Sequence, residues 1–125
     1  MTGIKKILKY HTESALKGTK KGDYDRAIAD YTEAIRINQY YADGYSGRAD
    51  AYIKKRDWDR AIADCTQAIS YAKGYSLSYE YWQRAFVYMQ KGNYTQARAD
   101  VNKALQSPNN ENAKNLDAEL KKLGY

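Results

Sequence analysis

At 125 residues and 14.4 kDa the chain has the length of one domain or a short repeat stack, enough to form a core without disulfides or a structural metal. Apolar residues are 43% and charged residues 29%, which excludes a disordered chain, and no apolar run approaches the ~20 residues that span a bilayer. The net charge of +6 is concentrated in residues 1–22, which hold six Lys and one Glu; the rest is almost neutral and shows no basic stripe of the kind a nucleic-acid binder presents.

The opening segment, Met1 to Lys9, is charged and lacks both a long apolar stretch and a small-residue cleavage site, so it does not read as a signal peptide. Ile4, Ile7 and Leu8 alternate with Lys5, Lys6 and Lys9. This pattern suits an amphipathic first helix with a solvated lysine face. A contact of residues 4–9 with an anionic membrane or an acidic partner is the alternative.

Internal repetition follows. The run from Tyr24 to Ile35 returns as Trp58 to Ile69, with nine of twelve positions identical at an offset of 34. A third copy, Tyr94 to Leu105, follows at an offset of 36. Upstream of each copy lies a second periodic segment, anchored by Ala15, Ala49 and Ala85; Tyr45, Arg48 and Tyr52 recur as Tyr81, Arg84 and Tyr88. The spacing predicts two helices per unit, with Tyr45, Ala49 and Tyr52 on one face of the first and Ala61, Cys65, Ala68 and Ile69 on one face of the second. Gly22-Asp23, Lys55-Arg56-Asp57 and Gly92-Asn93 supply the turns. Repeat 1 then covers about residues 8–41, repeat 2 about 42–75 and repeat 3 about 76–109. Pro108 stops the last repeat, and residues 110–123 form a capping helix with Ala113, Leu116, Leu120 and Leu123 in one stripe.

Nothing in the sequence assembles a catalytic or metal site. His11 and Cys65 are the sole residues of their types and fall in different repeats, and Cys65 stands where Tyr31 and Val101 stand in the sister units, a packing position. The lone cysteine suits a reducing compartment, hence an expected cytoplasmic location. No cofactor and no metal are expected. The recurring Asp30, Asp64 and Asp100, opposite Arg48 and Arg84, predict Arg–Asp pairs that hold helix register, with two solvated edges as the other reading.

The alanine positions, the 34-residue period and the aromatic opening each second helix resemble the tetratricopeptide repeat family, and the stretch from Asp25 to Tyr31 is similar to bacterial members. The resemblance covers about residues 8–108. His11, Ser14 and Gly18 depart from the Tyr, Arg and Tyr of the later units, and Gln39 and Lys73 stand where the family usually has Pro. It implies an all-α, right-handed superhelical solenoid of three antiparallel hairpins plus a cap, acting as a non-enzymatic module that binds a peptide or protein segment along its concave face. The matching lining positions are Thr12 and Leu16 in repeat 1, Asp43, Ser46, Asp50, Ile53 and Lys54 in repeat 2, and Tyr79, Trp82, Gln83, Phe86 and Met89 in repeat 3. Co-chaperone members grip acidic C-terminal tails with a clamp of Lys, Asn and Arg. The corresponding positions here are Thr12, Leu16, Gly47, Tyr79 and Gln83, so no such clamp is expected.

Tyr79, Trp82, Phe86 and Met89 recur at spacings of 3, 4 and 3 on a helix whose opposite face already carries Tyr81, Ala85 and Tyr88. Three readings of this second stripe stay open: a pocket for an apolar peptide anchor; cover by the capping helix or through the two residues inserted before Tyr81; or self-association. The last would make the chain a structural or assembly scaffold, an engineered repeat protein included, and a monomer or weak homo-oligomer in either case.

Overall fold

The computed structural model describes residues 3–125, apart from the side chain of Tyr75; Met1 and Thr2 of the opening segment lie outside the described residues. All regular structure there is helical, in two compact units that meet in sequence at Tyr71 and Ala72. Unit one holds α1 (Gly3–Lys20), α2 (Tyr24–Ile37), α3 (Ala42–Lys54) and α4 (Trp58–Tyr71); unit two holds α5 (Tyr75–Lys91), α6 (Tyr94–Ala104) and α7 (Glu111–Lys122).

In unit one, α1 packs against α2, α2 against α3, and α3 against α4. The crossings are built on small residues, as the repeat pattern predicts. Ala15, Ala27, Ala49, Ala61 and Ala68 are fully buried, and Tyr31 fills the gap that Ala15, Ala27 and Ala51 leave. The turns repeat a common device. Gly22 adopts φ 78° and Asp23 accepts the Arg26 amide to cap α2; in the next hairpin Asp57 accepts the Arg60 amide in the same way. The position equivalent to Gly22 and Gly92 is Arg56, which takes the left-handed conformation at φ 62° without the freedom of glycine. The turn between α2 and α3 lacks the family's proline; instead the Tyr45 hydroxyl donates to the Gln39 carbonyl at 2.8 Å.

Bidentate ion pairs lock each of the two later hairpins. Arg48 Nε and Nη2 donate to Asp64 at 2.8 Å each, and Arg84 does the same to Asp100 at 2.7 and 2.8 Å. Asp64 and Asp100 are buried, and the hydrogen-bonded carboxylates hold both guanidinium groups still more firmly protonated than an ordinary arginine. Arg48 also donates to Thr32 of α2, so it joins two hairpins of unit one. The first hairpin has Ser14 where Arg would stand. His11 approaches Asp30 from α1 at 3.1 Å, while Arg26 lies 3.9 Å from Asp30 and donates to Ser14 at 3.0 Å. A different set of groups thus satisfies the same carboxylate.

In unit two the residues inserted before Tyr81 lengthen the first helix rather than the loop: α5 has 17 residues against 13 in α3. Its core is Ala85, Ala97 and Val101 with Leu116 and Leu120 of α7. Asn110 accepts the Ala113 amide to cap α7 and donates to Ser78, and Arg98 pairs with Asp117 at 2.6 Å. That arginine, with Lys121, holds the Asp117 carboxyl below its usual range. The seventh helix therefore closes the apolar side of the α5–α6 hairpin. At the other end of the chain, Ile4 and Ile7 of α1 are 64% and 50% exposed, so the apolar residues of the lysine-rich turn are not drawn into the core.

Candidate functional site

In unit two, the aromatic stripe of α5 forms a continuous ladder. The Tyr79 and Trp82 rings lie 5.3 Å apart, and those of Trp82 and Phe86 lie 6.2 Å apart. Trp82, Phe86 and Met89 rest half-buried against the cluster that includes Leu116 and Leu120, so the capping helix takes up part of the stripe. Tyr79 remains 43% exposed at its end. Beside it, Ser78, Asn109 and Asn110 help to line a hollow of about 340 Å³. A second hollow of about 310 Å³ lies under Leu77, Tyr81, Lys103 and Pro108; no sequence motif marks it.

In unit one, Thr12 of α1 donates to the Leu8 carbonyl and lies 3.2 Å from the Tyr41 hydroxyl, at the edge of a hollow of about 340 Å³ lined by Leu8, Lys9, Glu13 and Tyr41. Leu16 is 49% exposed. On α3, Asp43 and Lys54 are exposed and Asp50 and Ile53 are half-buried. Burial raises the Asp50 carboxyl above its ordinary range, against the opposing pull of Lys54. Two expected lining residues differ from the sequence reading. Ser46 is buried, and Gln83 of unit two is only 2% exposed, so neither side chain stands on an open face. Helical spacing put both beside true surface positions, and the burial comes from the turn of helix on which each falls.

One side chain that sequence reasoning missed belongs to this region. Gly47 lies on the same face of α3 as Asp43 and Asp50, four residues after one and three before the other. A Cβ there would stand 2.2 Å from Cζ and 2.7 Å from the hydroxyl oxygen of Tyr31. Tyr31 thus reaches across from α2 and occupies the place of the missing Gly47 side chain. Burial, then the nearby Asp50, Tyr41 and Asp43, push its phenol up to about 12. The pairing of a helical Gly with a Tyr one repeat earlier was the available signal, but it became readable only once α2 and α3 were juxtaposed.

Among the described residues, no three His, Cys, Asp or Glu converge as metal ligands, and no helix is long and apolar enough to cross a membrane. Helical hairpins of this length, alanine-packed and closed by a capping helix, define a helical repeat protein. The "TPR repeat" pattern matches residues 19–55 and the "Tetratricopeptide repeat" pattern residues 81–111. The chain belongs to the tetratricopeptide repeat family. Among solved structures it is similar to the tetratricopeptide repeat domain of Arabidopsis OM64, with 29% identity over 96% of this chain and 98% of that one and a TM-score of 0.89. The second such domain of human RPAP3, in complex with the HSP70 peptide SGPTIEEVD, is 28% identical over 95% of this chain and 98% of that one, with a TM-score of 0.87. The TPR2B domain of yeast Sti1, in a complex with pHsp70, is 26% identical over 91% and 92% of the two chains, with a TM-score of 0.80. Among curated proteins no significant match is found.

Proposed function

We propose that the chain is a non-enzymatic protein-interaction module that holds a peptide or protein segment on the open faces of its hairpins' first helices, without a cationic carboxylate clamp. The observation that carries this reading is the α5 ring ladder: an exposed Tyr79 leads onto half-exposed Trp82 and Phe86. Rigid rings anchored from behind by a packed core are the side chains that interfaces use as anchors, because little conformational freedom is lost on contact. The similarity to domains in complex with HSP70 peptides supports a peptide as the ligand class. The clamp positions argue for a different sequence preference, because Thr12, Leu16, Gly47, Tyr79 and Gln83 offer no fixed cation to a terminal carboxylate.

Selection of a random peptide display library against the chain tests the reading. Aromatic or long apolar residues should be enriched, and Tyr79→Ala, which removes an exposed side chain without opening the core, should lose most of the captured binding. Phe86→Ala should lose it too. Enrichment of acidic C-terminal sequences, or binding indifferent to both changes, would contradict the proposal.

A further inference from the structure

The strongest uncommitted chemistry in the molecule lies on α3 of unit one, where the face expected to bear ligand is anionic. Asp43 and Asp50 stand two helical turns apart, about 10 Å along the axis, and neither makes a hydrogen bond or ion pair among the described residues. Asp50 is half-buried, so it carries a desolvation cost that the attraction of Lys54, one turn along α3, offsets only in part. Between them, at Gly47, sits the hydroxyl of Tyr31. That side chain is only 4% exposed; its ring edge fills the Gly47 side-chain position, with the oxygen 2.7 Å from it, and the hydroxyl has no hydrogen-bond partner among the described residues. The ring is buried, but the oxygen at its tip keeps contact with solvent. Here it is brought through a gap that only glycine leaves, and it comes out between two carboxylates. The arginine next along α3, Arg48, is committed to Asp64.

We infer that the Asp43–Tyr31–Asp50 row receives a basic side chain, arginine by preference, from an extended peptide bound to this face. This rests on the peptide-binding reading above and names the chemistry of the ligand. The guanidinium lies over the edge of the Tyr31 ring that fills the Gly47 position of α3. It donates to the Tyr31 oxygen and to the Asp50 carboxylate, while Asp43 draws the same charge or the next basic residue. Lysine satisfies the charge but not the planar, two-sided donor pattern. The site therefore inverts the electrostatics of a carboxylate clamp: at the Gly47 position, the acceptors belong to the protein and the cation to the ligand.

The experiment is a ¹⁵N NMR titration with three N-acetylated, C-amidated hexapeptides identical except for a central arginine, norleucine or glutamate. The arginine peptide should move the Gly47 and Asp50 amides and bind at least about tenfold more tightly than the norleucine peptide, with the glutamate peptide weakest. Asp50→Asn should remove most of that preference. Tyr31→Phe removes a hydroxyl that holds no internal bond, so it should weaken arginine binding while the unfolding midpoint stays in place. Equal binding of the arginine and glutamate peptides, or an arginine preference that survives Asp50→Asn, overturns the inference. If all three hexapeptides fail while aromatic peptides still bind at α5, only this inference falls; if no peptide of either kind binds, the functional reading falls with it.

Discussion

Replacing Arg48 by Met removes one half of a buried ion pair while keeping most of the side-chain volume. Exposed pairs contribute about 0–1 kcal/mol, but this one is different in kind. The Arg48 and Asp64 side chains are only 20% and 6% exposed and are joined by two parallel hydrogen bonds of 2.8 Å. Removing the cation leaves a carboxylate inside the α3–α4 hairpin with nothing to balance it, a loss of about 3–5 kcal/mol. The partial exposure of Arg48 places the expectation near 3, and loss of its contacts with Thr32 and the Tyr45 ring adds to it. For a chain of this size that corresponds to a drop of roughly 10 °C in the unfolding midpoint. Urea unfolding followed by circular dichroism measures it. The double variant Arg48→Met, Asp64→Leu should recover to within about 1 kcal/mol of the parent, because an apolar pair carries no stranded charge. Lys114→Met, which breaks the surface pair with Glu111, should cost under about 0.5 kcal/mol. A loss below about 1 kcal/mol for Arg48→Met, or a double variant no better than the single, would refute the reasoning.

Three further outcomes follow from particular geometries. Arg56→Gly should stabilise the chain by about 0.5–1 kcal/mol, because Arg56 holds the left-handed conformation that glycine holds in the sister turns; a lower urea midpoint would contradict this. Gly47→Ala should cost about 1–3 kcal/mol by forcing its methyl into the Tyr31 ring, and in a Tyr31→Leu background the same change should cost measurably less. The third concerns alkaline pH. The Tyr31 phenol titrates at about 12 in the folded chain against an ordinary 10.0, so its contribution is fully present below pH 10 and is lost as pH rises through the folded value. Phenolate absorbance should show a late tyrosine that Tyr31→Phe removes, beside Tyr45, which burial also pushes up, and Tyr31→Phe should flatten the decline in stability between about pH 10 and 12; an unchanged decline would contradict the assignment.

Much of the architecture could be read from the chain because repetition turns one ambiguous pattern into three concordant ones. Alanines at equivalent positions mark the crossings, Gly22 and Gly92 mark the turns, and the apolar stripe of 113–123 marks a helix with one side to hide. The Arg48–Asp64 and Arg84–Asp100 pairs were legible for the same reason, since an isolated charge carries no partner information but a co-recurring one does. The candidate binding face was less legible. Periodicity assigns a side chain to a direction, not to a depth, so it put Gln83 and Ser46 on the open surface although both are buried. It left open whether Trp82, Phe86 and Met89 pack against a core that includes Leu116 and Leu120, which depends on where α7 docks. Tyr31 is core, as its packing position predicts; that its ring edge fills the place of a Gly47 side chain is a fact about two helices together. The first hairpin departs most from the pattern, and there His11 and Arg26 perform around Asp30 a task that the later hairpins give to one arginine.

The most direct test of the interaction-module account is a titration of the ¹⁵N-labelled chain with an aromatic-rich peptide recovered from library selection, watching the indole signals of Trp82 and Trp58. The account predicts a saturable shift at Trp82, a static Trp58, and at least about a tenfold loss of affinity in Tyr79→Ala with the unfolding midpoint unchanged. A Trp82 signal that never moves, or one that moves identically in Tyr79→Ala, would contradict it.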